Sequence, residues 1–324
     1  MKQFEWARHS ADGVRLHTQT WEPTSTPRAA ITLVHGFGEH CGRYRHMAEA
    51  FTGAGFALLT GDHRGHGKSG GLRGHTPSYE HIMDDVDGMV VAAAQRFPGM
   101  PQFIYGHSMG GNFTLNYVLR RRPQLAGVVV TGPWLRLAFA PPRWQVVVGR
   151  VMDRLYPALI QDTGLNTEGL SRDPAVGTAY RADPLVHSNM SARLYTSIDT
   201  AGSWALAHAS EFTLPLLKRM GLAAAFEVVV AGDDVPEKKP HPAQLLEACR
   251  QLNVRPAQCV MLGDSVNDAL AAQRAGCPCV LVETGYNEGQ PISALRDQPG
   301  VWGVYANLPL AVAALEWVLR PPPS

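Results

Sequence analysis

Four apolar runs, each closing on a glycine-rich turn, constrain this chain more than any other feature of it. "AAITLVHGFGEH", "GFALLTGDHRGHGKSGG" and "QFIYGHSMGG" share that form, and "LAGVVVTGPW" repeats it. Within each run the apolar residues do not alternate with polar ones, and a helical pattern follows. Such runs predict parallel strands buried on both faces of a doubly wound α/β sheet. In that architecture the loops at the strand C-termini carry the chemistry. Ahead of them, Asp12-Gly13 lies between the strand-like "FEWARHS" and "VRLHTQTWE", which predicts a hairpin.

With 324 residues, 45% hydrophobic and 18% charged, the chain has material for one large α/β domain or two smaller ones. A net charge of +1 offers nothing to a polyanion, so nucleic acid is not an expected partner. Arg120-Arg121-Arg122 precedes Pro123 and reads as the solvated C-terminal end of a helix. The N-terminus has no apolar signal core, and no run reaches the ~18 apolar residues of a membrane span. The expectation is a cytoplasmic protein without a transmembrane segment. Its five cysteines, Cys41, Cys249, Cys259, Cys277 and Cys279, fit buried reduced thiols better than a disulfide framework. No second Cys or His pair follows Cys277-Pro-Cys279 to complete a metal site.

Gly106-His107-Ser108-Met109-Gly110 has the G-x-S-x-G spacing of a nucleophile elbow, in which a tight strand-to-helix turn exposes a serine hydroxyl. Ser108 is the candidate nucleophile. The Met109 amide would face a developing oxyanion from the helix N-terminus, and the Phe37 amide in His35-Gly36-Phe37-Gly38 is the natural second donor. His63, His66 and His107 read as structural residues rather than bases.

In this order and spacing, "HGFGEHCGRY", "DHRGHGKSGG" and "GHSMGG" resemble the monoacylglycerol lipase and lysophospholipase branch of the α/β-hydrolases. The resemblance covers residues 1–212 and includes a cap-like insertion over 134–190. It implies a serine esterase acting on small acylglycerol or lysophospholipid esters with no cofactor. The cap would form an apolar entrance and make transient contact with a lipid surface. A serine hydroxyl needs a base, which α/β-hydrolases supply from loops after later strands, in the order Ser, Asp or Glu, His. Those strands are not recognisable here. Asp233 or Asp234 with His241 is a weak substitute, with acid and base on one loop.

Residues 213–324 follow a different pattern. "GDDVPEKKPHPAQLLEACRQL", "VMLGDSVNDALAAQRAGCP" and "GYNEG" resemble the C-terminal half of phosphoglycolate phosphatases, in the haloacid dehalogenase superfamily. That resemblance implies a Rossmann-like fragment in which Lys239 offsets phosphoryl charge. Asp264 and Asp268 would form part of a Mg²⁺ site, and the bland alternative for both is helix capping. "FEVVVAG" is expected to be its first strand. The D-x-D-x-T nucleophile motif is missing. Asp85-Val86-Asp87 falls in a helical pattern and reads as an exposed helix face.

Four readings therefore stand side by side. They are a serine esterase with an impaired triad, a Mg²⁺-dependent phosphatase without its nucleophile, a catalytically silent fusion, and a chain rearranged from two genes. "SEFTLPLLKRMGL" is the expected seam, because both parents accommodate "FTLPLL".

Overall fold

The computed structural model describes residues 1–137, 143–164, 173–209, 211, 217–218, 223–284 and 291–319. The chain divides into two compact units, Met1–Ala205 and Leu206–Ser324. The expected seam over 212–216 and 219–222, and the "GYNEG" motif, lie outside the described residues.

In the first unit the expected hairpin forms from β1 (Lys2–His9) and β2 (Arg15–Glu22). The four apolar runs become β3 (Ala30–Val34), β4 (Ala57–Gly61), β5 (Gln102–His107) and β6 (Gly127–Thr131). These four are mutually parallel in the order β4-β3-β5-β6. β2 joins β4 antiparallel, so the six-stranded sheet is mixed rather than wholly parallel. Every residue of β3 and β4 is buried, as unalternated apolar runs require. The helices are α1 (Arg45–Gly53), α2 (Tyr79–Arg96) and α3 (Met109–Arg121). Val34, Leu59 and Ile104 of the sheet pack with Met83, Val86, Met89, Phe113 and Tyr117 of α2 and α3. Among the described strands β6 is the last of this sheet, and its Val129 is 48% exposed.

Asp85-Val86-Asp87 does lie within α2. The expectation of an exposed face fails at Val86, which is fully buried, and at Asp85, which is buried and accepts from Arg64 Nε at 2.6 Å and Nη2 at 3.0 Å. The guanidinium of Arg64 is buried too and needs that countercharge.

The cap region contributes α4 (Arg143–Leu155), β7 (Ile160–Asp162), α5 (Pro174–Ala182) and β8 (Asn189–Ser191) before α6 (Ala192–Leu206). β7 and β8 pair as a short antiparallel ribbon. Among the described residues no helix is long and apolar enough to cross a membrane.

The second unit has three parallel strands in the order β11-β10-β9: β9 (Met261–Gly263), β10 (Cys279–Val282) and β11 (Val301–Tyr305). Among the described residues α7 (Ala243–Gln251), α8 (Val266–Ala275) and α9 (Leu308–Leu319) accompany them. Its core is small, with Cys249, Cys277, Cys279, Leu281, Ile292 and Val304 around Ala272. All five cysteines are free. The expected strand "FEVVVAG" is not one, because residues 226–231 are irregular. A strand exists only by pairing, and no described strand offers this segment a ladder.

Candidate active site

Ser108 joins β5 to α3 with φ 53° and ψ −118°. A non-glycine residue adopts such a backbone at a cost of about 1–3 kcal/mol, and only where its surroundings fix it. Here the Ser108 N–H donates to the Thr131 carbonyl at 3.0 Å, tying the elbow to β6. Its own carbonyl accepts from Asn112 N–H at 3.1 Å and Trp134 N–H at 2.9 Å. The flanking glycines are required by space. A Cβ at Gly106 would strike the Thr114 side chain and the Gly110 carbonyl, and one at Gly110 would strike the Val34 carbonyl.

The loop after β3 passes directly beside the elbow. A Cβ built on Gly36 would sit 3.3 Å from Ser108 Cβ and 2.6 Å from Glu39 Oε1. Glu39 Oε1 accepts from the Gly36 N–H at 2.7 Å and from the Tyr44 hydroxyl at 2.7 Å. Burial and the Glu39 carboxylate push the Tyr44 phenol up, so it remains a donor. With Gly36 so bound, the Phe37 and Met109 backbone N–H groups have no acceptor among the described residues. Two such donors beside a serine are the arrangement that stabilises an oxyanion.

The cap holds the same loop from its other side. His187 N–H and the Tyr180 hydroxyl donate to the Gly38 carbonyl at 2.9 and 3.1 Å. His40 Nε2 bonds Asp183 Oδ2 at 2.8 Å. Burial opposes ionisation of Asp183, but His40, the Leu185 N–H and Arg43 together outweigh it and hold the carboxyl below its ordinary range. The Phe37 ring stands edge-on to Trp134 and His187, with centroids 6.2 and 5.9 Å away. Glu39, Tyr180, Asp183 and His187 had no assigned role in the sequence. Only Glu39 left a signal there, three residues after Gly36, as in a capping box.

His35 and His63 are buried and locked together. His63 N–H donates to His35 Nε2 at 3.1 Å, which places the His35 proton on Nδ1, facing the Gly36 carbonyl at 2.8 Å. Burial lowers both pKa values, so both rings are neutral near pH 7. His66 is buried as well, while His107 is exposed and meets Thr131 Oγ1 at 3.0 Å. Among the described residues, the Ser108 hydroxyl has no hydrogen-bond partner.

The remaining candidates lie in the second unit. Asp234 Oδ2 accepts from Ala231 N–H at 2.6 Å, and His241 Nδ1 accepts from Ala243 N–H at 3.3 Å. These bonds close local turns, and among the described residues no ion pair joins His241 to Asp234. The buried Asp268 accepts from Lys239 Nζ at 2.7 Å. It also accepts from Ser265 Oγ at 2.8 Å and from the Asp264 and Ser265 N–H groups at 3.1 Å. Burial opposes its ionisation, yet these donors hold its carboxyl below the ordinary range. Asp264 is exposed, and desolvation together with neighbouring Asp268 raises its pKa. The haloacid dehalogenase likeness implies Mg²⁺, which asks for six oxygens in near-ideal octahedral geometry. Among the described residues Asp264 is the one uncommitted carboxylate at this turn, since Asp268 is taken by Lys239 and its own cap. The donor set does not fit a dedicated Mg²⁺ site.

The profile of the family described as "Serine aminopeptidase, S33" matches residues 25–225, and that of the haloacid dehalogenase-like hydrolases matches residues 202–276. Over 206 residues the chain is 35% identical to the monoacylglycerol lipase of Mycolicibacterium smegmatis, covering 63% of this chain and 73% of that protein. It is 34% identical to the human monoglyceride lipase over 181 residues, 55% of this chain and 58% of the relative. The phosphoglycolate phosphatase of Thiobacillus denitrificans is 48% identical over 87 residues, 27% of this chain but 38% of that enzyme. A soluble variant of the Saccharomyces cerevisiae monoglyceride lipase, solved with a substrate analogue, superposes with a TM-score of 0.56 at 25% identity, covering 65% of this chain and 71% of that one. The Paleococcus ferrophilus monoacylglycerol lipase gives 0.53 at 24% identity, over 94% of this chain and 98% of its own, a likeness of fold.

Proposed function

The chain belongs to the serine aminopeptidase S33 family, among the α/β-hydrolases of monoacylglycerol lipase type, and from that premise we propose a weak Ser108-dependent esterase for acylglycerol or lysophospholipid esters. The observation that carries the proposal is the positive-φ Ser108, so close to the Gly36 turn that a Cβ added there would come within 3.3 Å of Ser108 Cβ, with the Phe37 and Met109 amides free. Ser108 Oγ would attack the ester carbonyl, the two amides would receive the oxyanion, and the alcohol would leave with the serine proton. Water would then release the acid. No His or carboxylate bonds Ser108 among the described residues, so water must take and return that proton. Oxyanion stabilisation and binding alone contribute roughly 10³–10⁴-fold over water. The cap fits an apolar substrate and a lipid surface, because α4 exposes Trp144, Val147, Val148, Val151 and Leu155. We further propose that a hydrolase core lacking its last strands is joined near 212 to a partial phosphatase, in a cytoplasmic protein.

The test pairs a short-chain p-nitrophenyl ester with p-nitrophenyl phosphate plus Mg²⁺, on the whole chain and two variants. Slow ester turnover lost in Ser108→Ala is expected, with phosphate turnover at background. Ester turnover unchanged in Ser108→Ala would end this reading. Phosphate turnover abolished by Asp264→Asn would establish the phosphatase in its place, and no turnover on either substrate would leave the silent fusion.

A further inference from the structure

Behind the oxyanion loop, three side chains of different chemistry meet in the interior of the first unit. His17 comes from β2, Cys41 opens the short turn Cys41–Tyr44, and Asp62 directly follows β4. They are 5%, 1% and 2% exposed. One donor atom from each (a ring nitrogen, Sγ and a carboxylate oxygen) lies within 4.8 Å of the other two.

Their hydrogen bonding is lopsided. Asp62 accepts from the Cys41 N–H at 2.8 Å and the Lys68 N–H at 2.7 Å. Among the described residues no cationic side chain lies within ion-pairing reach of it, so a buried carboxylate stands without a countercharge. Cys41 Sγ lies 3.5 Å from Gln19 Oε1 and also faces the Asp62 carboxylate, and burial together with that carboxylate pushes the thiol up. Gln19 is buried and two residues from His17, so both side chains leave β2 on the same face. His17 Nε2 is 3.7 Å from Glu5 Oε2, which Lys68 Nζ holds at 3.0 Å.

We propose that His17, Cys41 and Asp62 bind a borderline-soft divalent cation of the zinc class, as a structural staple between the sheet and the turn that follows the oxyanion loop. The charges close, since one thiolate, one carboxylate and a neutral imidazole around a divalent ion sum to zero. The thiol proton leaves to solvent as the sulfur–metal bond forms. A mixed N, S, O set is what zinc accepts and what magnesium or calcium does not. Tetrahedral zinc would draw such donors to about 3.5 Å apart, a contraction of about 1 Å from the outer limit here. Gln19 Oε1 or a water completes the fourth position. The amide bonds that Asp62 accepts are the outer contacts that orient a ligating carboxylate.

The test is Co²⁺ titration of the chelator-treated full chain, followed in the absorption spectrum and repeated on Cys41→Ala and His17→Gln. Wild type should develop a thiolate-to-cobalt charge-transfer band at one ion per chain. The band should vanish in Cys41→Ala, and affinity should fall about tenfold or more in His17→Gln. Far-ultraviolet circular dichroism checks that both variants are folded. Four cysteines of the second unit could also bind cobalt, so the difference between wild type and Cys41→Ala is the decisive signal. A band unchanged in Cys41→Ala, no band in wild type, or affinity unchanged in His17→Gln would each overturn the site.

Discussion

The turn at Ser108 and the turn at Asp264 are built alike, yet they end in different chemical conditions. Each follows a parallel strand and opens a helix, and each has a glycine with no room for a side chain, Gly110 beside Val34 and Gly263 beside Asp268. At Ser108 a second loop arrives within contact distance, and two amides and a hydroxyl are left free. At Asp264 the loop of Lys239 arrives instead, and among the described residues the neighbouring carboxylate is spent on that lysine and the helix cap. The difference follows from where the partners originate. The oxyanion loop comes from β3, adjacent to β5 in an intact part of its sheet. The Asp264 turn belongs to a sheet with three described strands, and the phosphoglycolate phosphatase it resembles is matched over only 38% of its length. A strand-end turn is a local structure that survives the loss of distant strands; an active site assembled across strands is not.

The electrostatics of the two units sharpen the contrast. Arg64 and Asp85 are 5% and 4% exposed, and Asp12 binds the same guanidinium at 2.9 Å. Asp85→Ala would leave the buried Arg64 short of a countercharge and should cost about 3–5 kcal/mol, read from the urea midpoint of the first unit. A loss under about 1 kcal/mol would mean that Asp12 alone satisfies Arg64, and this side of the comparison would break.

A smaller effect is expected at Glu39, which acts through the loop rather than on the substrate. Glu39→Gln keeps the acceptor for the Gly36 N–H, whereas Glu39→Ala removes it. The alanine variant should lose about tenfold or more in the kcat of the Ser108-dependent esterase with KM little changed, and glutamine should restore most of it. Equal losses in both variants would assign Glu39 to charge rather than to holding the turn.

The same contrast governs what could be read from the sequence. Ser108, Met109 and Phe37 were legible because an elbow and its loop are short-range devices, fixed by glycine spacing at strand ends. So were the hairpin and the four parallel strands of the first unit's sheet. The buried role of Asp85 was not legible, because its partner Arg64 is 21 residues away and a polar residue on a helix defaults to solvent. Nor was the clamp of Tyr180 on Gly38, which spans 142 residues. "FEVVVAG" failed for the opposite reason, since its composition is that of a strand while pairing, which sequence pattern does not contain, is what makes one. The fourth apolar run did become β6, although it stands at an edge with Val129 exposed.

Lys239 is 39% exposed and its partner Asp268 is nearly buried. Lys239→Met should therefore cost only about 1 kcal/mol, because Ser265 and two amides still bind Asp268. The sign with pH follows from the direction of the shift. Asp268 is held below its ordinary value, so its contribution is complete above the ordinary carboxylate range and fades as pH falls through the folded-state value. In Lys239→Met that acid-side loss should shrink in thermal melts. An unchanged pH profile would place the stabilisation of Asp268 on its cap alone.

The smallest expected effect is at Asp264, and it bears most directly on whether this turn still holds a metal. Its pKa is raised, by desolvation and by Asp268, so its ionised form is less comfortable in the folded chain than in the unfolded one. Stability contributed here grows as pH falls through the raised value, the reverse of Asp268. Neutralising Asp264 removes the repulsion while leaving Asp268 with all its donors. Asp264→Asn should then stabilise the second unit by a few tenths of a kcal/mol near pH 7, after discounting for its exposure to solvent. A functioning Mg²⁺ site shows the same repulsion between its ligand carboxylates until the ion arrives, and differs only once Mg²⁺ is added. Added Mg²⁺ would then raise the Tm of wild type and leave Asp264→Asn unmoved. Melting both proteins with and without Mg²⁺ separates the cases. A Mg²⁺-dependent rise confined to wild type would show that the turn has kept its ion, and would erase the difference from Ser108 on which the comparison rests.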